Sequence, residues 1–164
     1  MPVLECHSQR DIAWLRPDRA RYCAMMIKEI FPKNVEGFHV ERVLDLGAGR
    51  GSFVNACLEK GLDACGVDMR KMGCPRFVLG DAAGLPFRDK IFDLVFQYLF
   101  LADMADLQKL PRREIELAVG EIHRILRPGG FVYNYSRFVC GDKMPHKFEK
   151  IVEYPYSETL YRKV

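Results

Sequence analysis

Val43–Phe53 reads VLDLGAGRGSF. An apolar run, Arg42 to Leu46, has the look of a short buried strand and carries an acid, Asp45, near its end. Glycines follow at 47, 49 and 51, and a helical stretch runs from about Ser52 to Lys60, closed by Gly61. Glycine permits positive φ, lets a ligand approach the backbone, and lets a helix pack closely on a strand. The helix that follows would aim its free N–H groups at that ligand. An anionic group, phosphate or carboxylate, is therefore expected near Gly49 to Phe53.

The pattern continues outward from this unit. Ala64–Asp68 reads as a second strand ending in an acid, and Arg76–Leu79 as a third, followed by Gly80-Asp81. Phe92–Tyr98 is dense in apolar residues, as for a strand covered on both faces. Pro111–Leu126 is an amphipathic helix with Ile115, Ala118, Val119, Ile122 and Ile125 on one face, ended by Arg127-Pro128-Gly129-Gly130. Phe131–Tyr135 makes a fifth strand. Phe148–Glu153 and Glu158–Val164 form a candidate hairpin around Tyr154-Pro155-Tyr156-Ser157. Upstream, Arg19–Phe31 reads as a helix stopped by Pro32, with a loop over Lys33–His39. Strands alternating with helices imply a parallel sheet, with the ligand beyond the carboxyl ends of its strands.

Bulk properties narrow the function. The 164 residues suit one compact domain, with 49% hydrophobic and 29% charged residues and a formal net charge of +3. The short groups Arg112-Arg113 and Arg16, Arg19, Arg21 read as solvated helix faces, so no nucleic-acid signature stands out. The opening MPVLECHSQRD is too polar for a secretory signal. The most apolar run, Asp93–Ala102, is far short of the roughly 20 residues that span a bilayer. Six cysteines, at 6, 23, 57, 65, 74 and 140, form no CxxC pair and no zinc spacing; Cys23, Cys57 and Cys65 read as core. His7, His39, His123 and His146 show no metal spacing, and no metal site is expected. A reducing, cytoplasmic location fits this cysteine usage.

Gly47, Gly49 and Ser52 partly satisfy a dinucleotide pattern. Asp45 argues otherwise, since an acid so close would repel a pyrophosphate and welcome an amine or sulfonium. Asp68 is placed to accept from ribose hydroxyls under either reading. Taken in order, DLGAGRG, GVDM, GDAAGLPF, FDLVFQ and ILRPGGF resemble a class I S-adenosylmethionine-dependent methyltransferase, from about Val43 to Tyr135.

The resemblance implies an α/β, Rossmann-like, doubly wound fold. Its sheet would be mostly parallel, with helices on both faces and an antiparallel C-terminal strand. A single domain over 1–164 is expected: an N-terminal helical segment (1–40), a cofactor-binding core (41–136) and an abbreviated C-terminal strand region (137–164). The cofactor implied is S-adenosylmethionine, leaving S-adenosylhomocysteine. Asp45, Gly47, Ala48, Gly49 and Gly51 match the part that holds the methionyl group. Arg50 departs from the usual small or polar residue; it either adds positive charge near the cofactor carboxylate or points to solvent. Asp68 matches the ribose-binding acid and Met69 a position that packs on adenine. Asp81 and Ala82 match the adenine-edge pair, with a plain turn residue as the alternative for Asp81.

Gln97 matches a position facing the sulfonium and the acceptor. Tyr98 stands near the transferred methyl or in the core. These two are the catalytic candidates. The reaction implied is direct displacement at the methyl carbon, with no general base demanded of a good nucleophile. The acceptor is unidentified. Gln97-Tyr98-Leu99-Phe100 is not the Asn-Pro-Pro-aromatic motif, which counts against relatives that methylate the planar amines of bases and glutamine side chains. With no RNA-binding appendage visible, a small molecule or protein is expected as acceptor over nucleic acid. His7–Tyr22, with Trp14, Arg16, Arg19 and Tyr22, is either a cover for the acceptor or a helix on the sheet edge. Asp103, Asp106 and Asn134–Arg137 could touch an acceptor, and Arg137–Lys147 leaves little room for a third crossover helix or a lid. Other readings are a non-catalytic or partner-dependent cofactor-binding module, and an NAD(P)-dependent oxidoreductase, against which Asp45 and Gly80-Asp81-Ala82 count. A homodimer or partner subunit completing the acceptor site is left open.

Overall fold

The computed structural model describes residues 15–98, 112–135, 147–154 and 158–164. Seven strands form one sheet: β1 Arg42–Leu46, β2 Asp63–Asp68, β3 Phe77–Leu79, β4 Phe92–Tyr98, β5 Leu126–Tyr135, β6 Phe148–Tyr154 and β7 Glu158–Lys163. Their order is β3-β2-β1-β4-β5-β7-β6. The pairs among β1 to β5 are parallel, and β7 runs antiparallel to both β5 and β6. The chain is thus Rossmann-like, and its C-terminal hairpin completes the sheet rather than standing apart from it.

Two-residue alternation divides the core between the two faces. Val43, Leu94, Phe96, Phe131, Tyr133 and Leu160 meet α1 (Pro17–Met25), α2 (Phe31–Asn34) and α3 (Ser52–Glu59) on one face. Leu44, Leu46, Val95 and Val132 meet α4 (Arg112–Ile125) on the other. Phe53 of α3 stacks on Phe96 with ring centroids 3.8 Å apart, and Phe31 meets Tyr133 edge-on at 5.1 Å. Aromatic contacts of this kind fix how the helices sit on the sheet.

Pro32 does not stop the first helix, contrary to the sequence reading. A π-helical turn over Met26–Ile30 joins α1 to α2, which continues to Asn34. In that turn the Phe31 N–H reaches back five residues to the Met26 carbonyl. The wider turn sits just before the proline, which brings no N–H and would crowd a carbonyl of the preceding turn in a regular helix. The Arg127–Gly130 segment also differs from a simple terminator. Leu126 already pairs with Phe92, and pairing resumes at Phe131 with Leu94, so the RPGG residues form an irregularity within β5. Asp93 lies opposite it. Its carboxylate accepts from the Arg127 guanidinium at 2.8 Å and from the Glu41 and Arg42 N–H groups at 3.0 and 2.8 Å, tying β1, β4 and β5 at their amino ends.

The N-terminal helix packs on α3 and the sheet face through Ala20, Cys23 and Ala24. Cys57 and Cys74 are buried like Cys23, Cys65 is half-buried, and all four are free thiols. No helix among the described residues is long and apolar enough to cross a membrane. Trp14, Asp103, Asp106, Cys6, Cys140, His7, His146 and all of Arg137–Lys147 except Lys147 lie outside the described residues.

Candidate functional site

The site begins where β1 stops. Gly47, Gly49 and Gly51 all have positive φ, at 77, 51 and 78°. The Gly47 and Ala48 N–H groups both donate to the Val67 carbonyl, at 2.9 and 3.1 Å, so the turn is fastened to the end of β2. In this turn and the strand beneath it, crowding requires glycine at two positions. A Cβ on Gly51 would lie 2.7 Å from the Cys74 sulfur, and one on Gly66 would lie 2.5 Å from the Ala48 Cβ. The Gly66 requirement, in the GVDM segment, was not read from the sequence: it arises because the glycine turn folds back over β2. Cys74 is the post against which the turn rests.

Asp68, at the end of β2, accepts the Gly49 N–H through Oδ2 at 3.0 Å and the Arg70 N–H through Oδ1 at 3.1 Å. Each oxygen has a second lone pair, so the carboxylate can still accept from a ligand hydroxyl. Asp45 is different. It is 5% exposed, and no described residue gives it a hydrogen bond or an ion pair. Burial, and then the charge of Asp68, push its carboxyl up to about 8. A buried carboxyl with no donor is costly unless something arrives to pair with it.

Beyond β3 the chain makes a tight turn. Asp81 accepts the Ala83 N–H on its side chain at 2.9 Å and the Gly84 N–H on its carbonyl at 3.0 Å. The side chain thus serves the turn, as the plainer reading of Asp81 had it, while remaining exposed; Ala82 is buried. Met69 stands 66% exposed, unusual for so apolar a side chain. Arg50 is exposed.

At the ends of β4 and β5, Gln97 and Asn134 are each 1% exposed, and the Gln97 Nε2 donates to the Asn134 Oδ1 at 2.5 Å. Register aligns Asn134, Gln97 and Leu46 across β5, β4 and β1, and Leu46 pairs in turn with Val67. The glycine turn, Asp45, Asp68, Gln97 and Tyr98 therefore share one edge of the sheet. The Tyr98 ring lies 5.5 Å from that of Tyr135.

Two polar groupings escaped the sequence reading. Tyr133 donates to Glu158 of β7 at 2.8 Å inside the core. Burial raises the Glu158 carboxyl, and the Tyr133 and Tyr22 hydroxyls partly offset that. Arg124 and Glu121 of α4 bind the segment Leu85–Asp89. Only their three-residue spacing was visible. Among the described residues the cysteines offer no nucleophile: burial pushes Cys23 and Cys74 up to about 12, Cys65 to about 11, and raises Cys57 as well. Among the described residues no group of His, Cys, Asp and Glu could hold a metal.

A family profile described as "Methyltransferase domain" matches residues 44–134, the stretch that builds this edge. The chain belongs to the methyltransferase domain family. It is 34% identical over 99 residues to the demethylmenaquinone methyltransferase of Renibacterium salmoninarum, covering 55% of this chain and 38% of that protein. It is 35% identical over 118 residues to the fatty-acid O-methyltransferase of Mycolicibacterium smegmatis, covering 63% and 39%. The chain spans well under half the length of these relatives. Among solved structures it resembles the Burkholderia thailandensis 1,6-didemethyltoxoflavin-N1-methyltransferase, crystallised with its substrate and S-adenosylhomocysteine. The TM-score is 0.64 at 18% identity, covering 88% of this chain and 78% of that one. At such identity the likeness is one of fold, and it agrees with the strand order of this methyltransferase domain.

Proposed function

We propose that this chain is an S-adenosylmethionine-dependent methyltransferase acting, in the cytoplasm, on a small-molecule acceptor. The observation that carries the reading is Asp45: a buried carboxyl, lacking any donor among the described residues, beside a glycine turn of positive φ. A ligand bearing an ammonium group supplies the charge that such a carboxyl lacks. The residues fit the cofactor in other respects. Gly47, Ala48, Gly49 and Gly51 form the turn assigned to its methionyl portion, of which Gly47 and Ala48 are half-buried. Asp68 keeps lone pairs for ribose hydroxyls, and Met69 offers an apolar surface for a base. Asp81 and Ala82 stand at the base's polar edge. When bound, the cofactor supplies a methyl group already activated by a sulfonium, so the chemistry is direct displacement.

The chain's own work is then to bind, orient and exclude water. Gln97, locked to Asn134, presents a rigid polar wall at the end of β4. Tyr98, beside it, is the candidate to border the transferred methyl. The activities for which these relatives are named, on demethylmenaquinone and fatty acids, favour a small and largely apolar acceptor. Calorimetric titration with S-adenosylhomocysteine and, separately, with NADH tests the reading. Binding of the first alone is expected. Binding of NADH alone, or of neither, would sink it.

A further inference from the structure

Arg124 carries five hydrogen bonds, one for each of its guanidinium donors. Nε and one Nη2 proton go to the two Glu121 oxygens at 2.8 and 2.7 Å. The other Nη2 proton goes to the Leu85 carbonyl at 3.0 Å, and Nη1 serves the Phe87 carbonyl and the Asp89 carboxylate at 2.8 and 2.7 Å. Glu121 in turn accepts the Leu85 N–H at 2.7 Å. Two residues of α4 therefore hold both backbone polar groups of Leu85 and the carbonyl of Phe87. The Lys90 and Ile91 N–H groups complete the attachment by donating to the Arg124 and Ile125 carbonyls at 3.0 and 2.9 Å.

The chain between these anchors leads directly to the Asp81 turn. Pro86, flanked by the two clamped residues, lies against Gly80 so closely that a Cβ there would come within 2.7 Å of its ring. Asp81 pairs with Gly84, next to Leu85. No helix intervenes between β3 and β4 to fix this stretch. A segment without its own secondary structure is positioned only by what it is tied to.

We propose that Arg124 and Glu121 are positioning residues for the base-recognition segment Gly80–Ala82, acting from α4 through Leu85, Pro86 and Phe87. They touch no ligand. They set the fraction of molecules whose Asp81 and Ala82 stand where a base can use them, and apparent affinity scales with that fraction. The inference rests on the proposed assignment of Asp81 and Ala82 to the adenine edge. Lysine cannot replace Arg124, because the three tetrahedral donors of an ammonium cannot serve five acceptor atoms arranged around a planar guanidinium.

The test compares S-adenosylhomocysteine with S-inosylhomocysteine, which carries a carbonyl in place of the exocyclic amine. The unaltered protein should prefer the adenosyl form by about tenfold or more, since a site built around a hydrogen-bonded group rejects an analogue lacking it. Asp81→Ala should abolish that preference. Arg124→Gln should lower adenosyl affinity by about tenfold and leave inosyl affinity within about twofold, so that the preference collapses. A merely structural role would weaken both ligands alike, and that result, or a preserved preference, overturns the inference. Glu121→Gln is measured in the same way and should shift the preference in the same direction by less; should Arg124→Gln not fold, it decides alone, and a preference equal to that of the unaltered protein overturns the inference. Absence of any preference in the unaltered protein, or its survival in Asp81→Ala, sinks the adenine-edge reading instead, and the positioning role with it.

Discussion

The two halves of the carboxyl edge treat polar groups in opposite ways. Over β1 and β2, Asp45 has no donor among the described residues, and Asp68 spends one lone pair of each oxygen on backbone N–H groups. Over β4, β5 and β7, most polar groups hold one another, Gln97 with Asn134 and Tyr133 with Glu158, while the buried Thr159 hydroxyl of β7 has no hydrogen-bond partner among the described residues. A half that leaves capacity unused is built to receive a ligand. A half whose polar groups are mostly paired with one another is built to keep its shape. The comparison predicts that substitutions in the first half act on binding and that those in the second, Gln97 and Tyr98 at the ligand end of β4 excepted, act on stability.

The largest effect should come from Gly51→Val. It combines a positive φ with a Cβ 2.7 Å from both the Cys74 sulfur and the Pro75 ring. Strain and overpacking together cost roughly 3 kcal/mol or more, and binding of S-adenosylhomocysteine is lost with the turn. Gly61→Ala isolates the strain, because Gly61 has a φ of 73° and open space around it. Its cost should be about 1 kcal/mol in denaturant titrations, with ligand affinity unchanged. Equal effects at the two sites would remove crowding by Cys74 from the account of the loop.

Asp45→Asn comes next. Its pKa of about 8 lies above the ordinary carboxylate value. Between about pH 4 and pH 8 the folded protein therefore keeps a proton that the unfolded chain has released. Stability of the ligand-free protein should fall as pH rises through that window, and Asp45→Asn should flatten the fall. An ammonium group favours the ionised carboxylate, so ligand binding at pH 7 should expel about one proton. Titrations in buffers of different ionisation enthalpy count it. The variant should expel none and bind more weakly by about 1.5–3 kcal/mol, the range for hydrogen bonds to charged groups. Equal proton counts in the two proteins would separate Asp45 from cation binding.

Tyr133→Phe addresses the second half. It strips a buried carboxyl of a donor, at about 1–3 kcal/mol of stability. Affinity for S-adenosylhomocysteine should stay within about twofold. A loss of affinity larger than the loss of stability would mean that the Tyr133–Glu158 pair also takes part in binding.

The sequence made the receptive half legible because its chemistry is local. Asp45, the three glycines and the start of α3 lie within a dozen residues, and the spacing alone implies the turn. The other half depends on contacts between distant segments. That Glu158 would face Tyr133 follows only once β7 is inserted between β5 and β6. That Asp68 would hold the Gly49 N–H follows only from the pairing of β1 with β2. Pro32 was misread for a different reason: the rule that proline ends a helix assumes regular turns, and a π turn relaxes the crowding behind that rule. Nothing in the sequence singles out Glu121 and Arg124, because helix spacing says nothing about which loop a guanidinium will reach.

The smallest effect expected is also the sharpest test of the receptive half. Met69 is 66% exposed, so nothing in the ligand-free protein depends on its side chain. Met69→Ala should leave stability within about 0.5 kcal/mol, as for most surface substitutions. If the side chain packs on the base, the same change should weaken S-adenosylhomocysteine binding by about 0.3–1.5 kcal/mol, the range for sulfur–aromatic contacts. A residue with an effect on binding and none on folding is what an edge built to receive a ligand should contain. An unchanged affinity would leave Met69 as an incidental surface methionine and confine the receptive surface to Asp45, the glycine turn and Asp68.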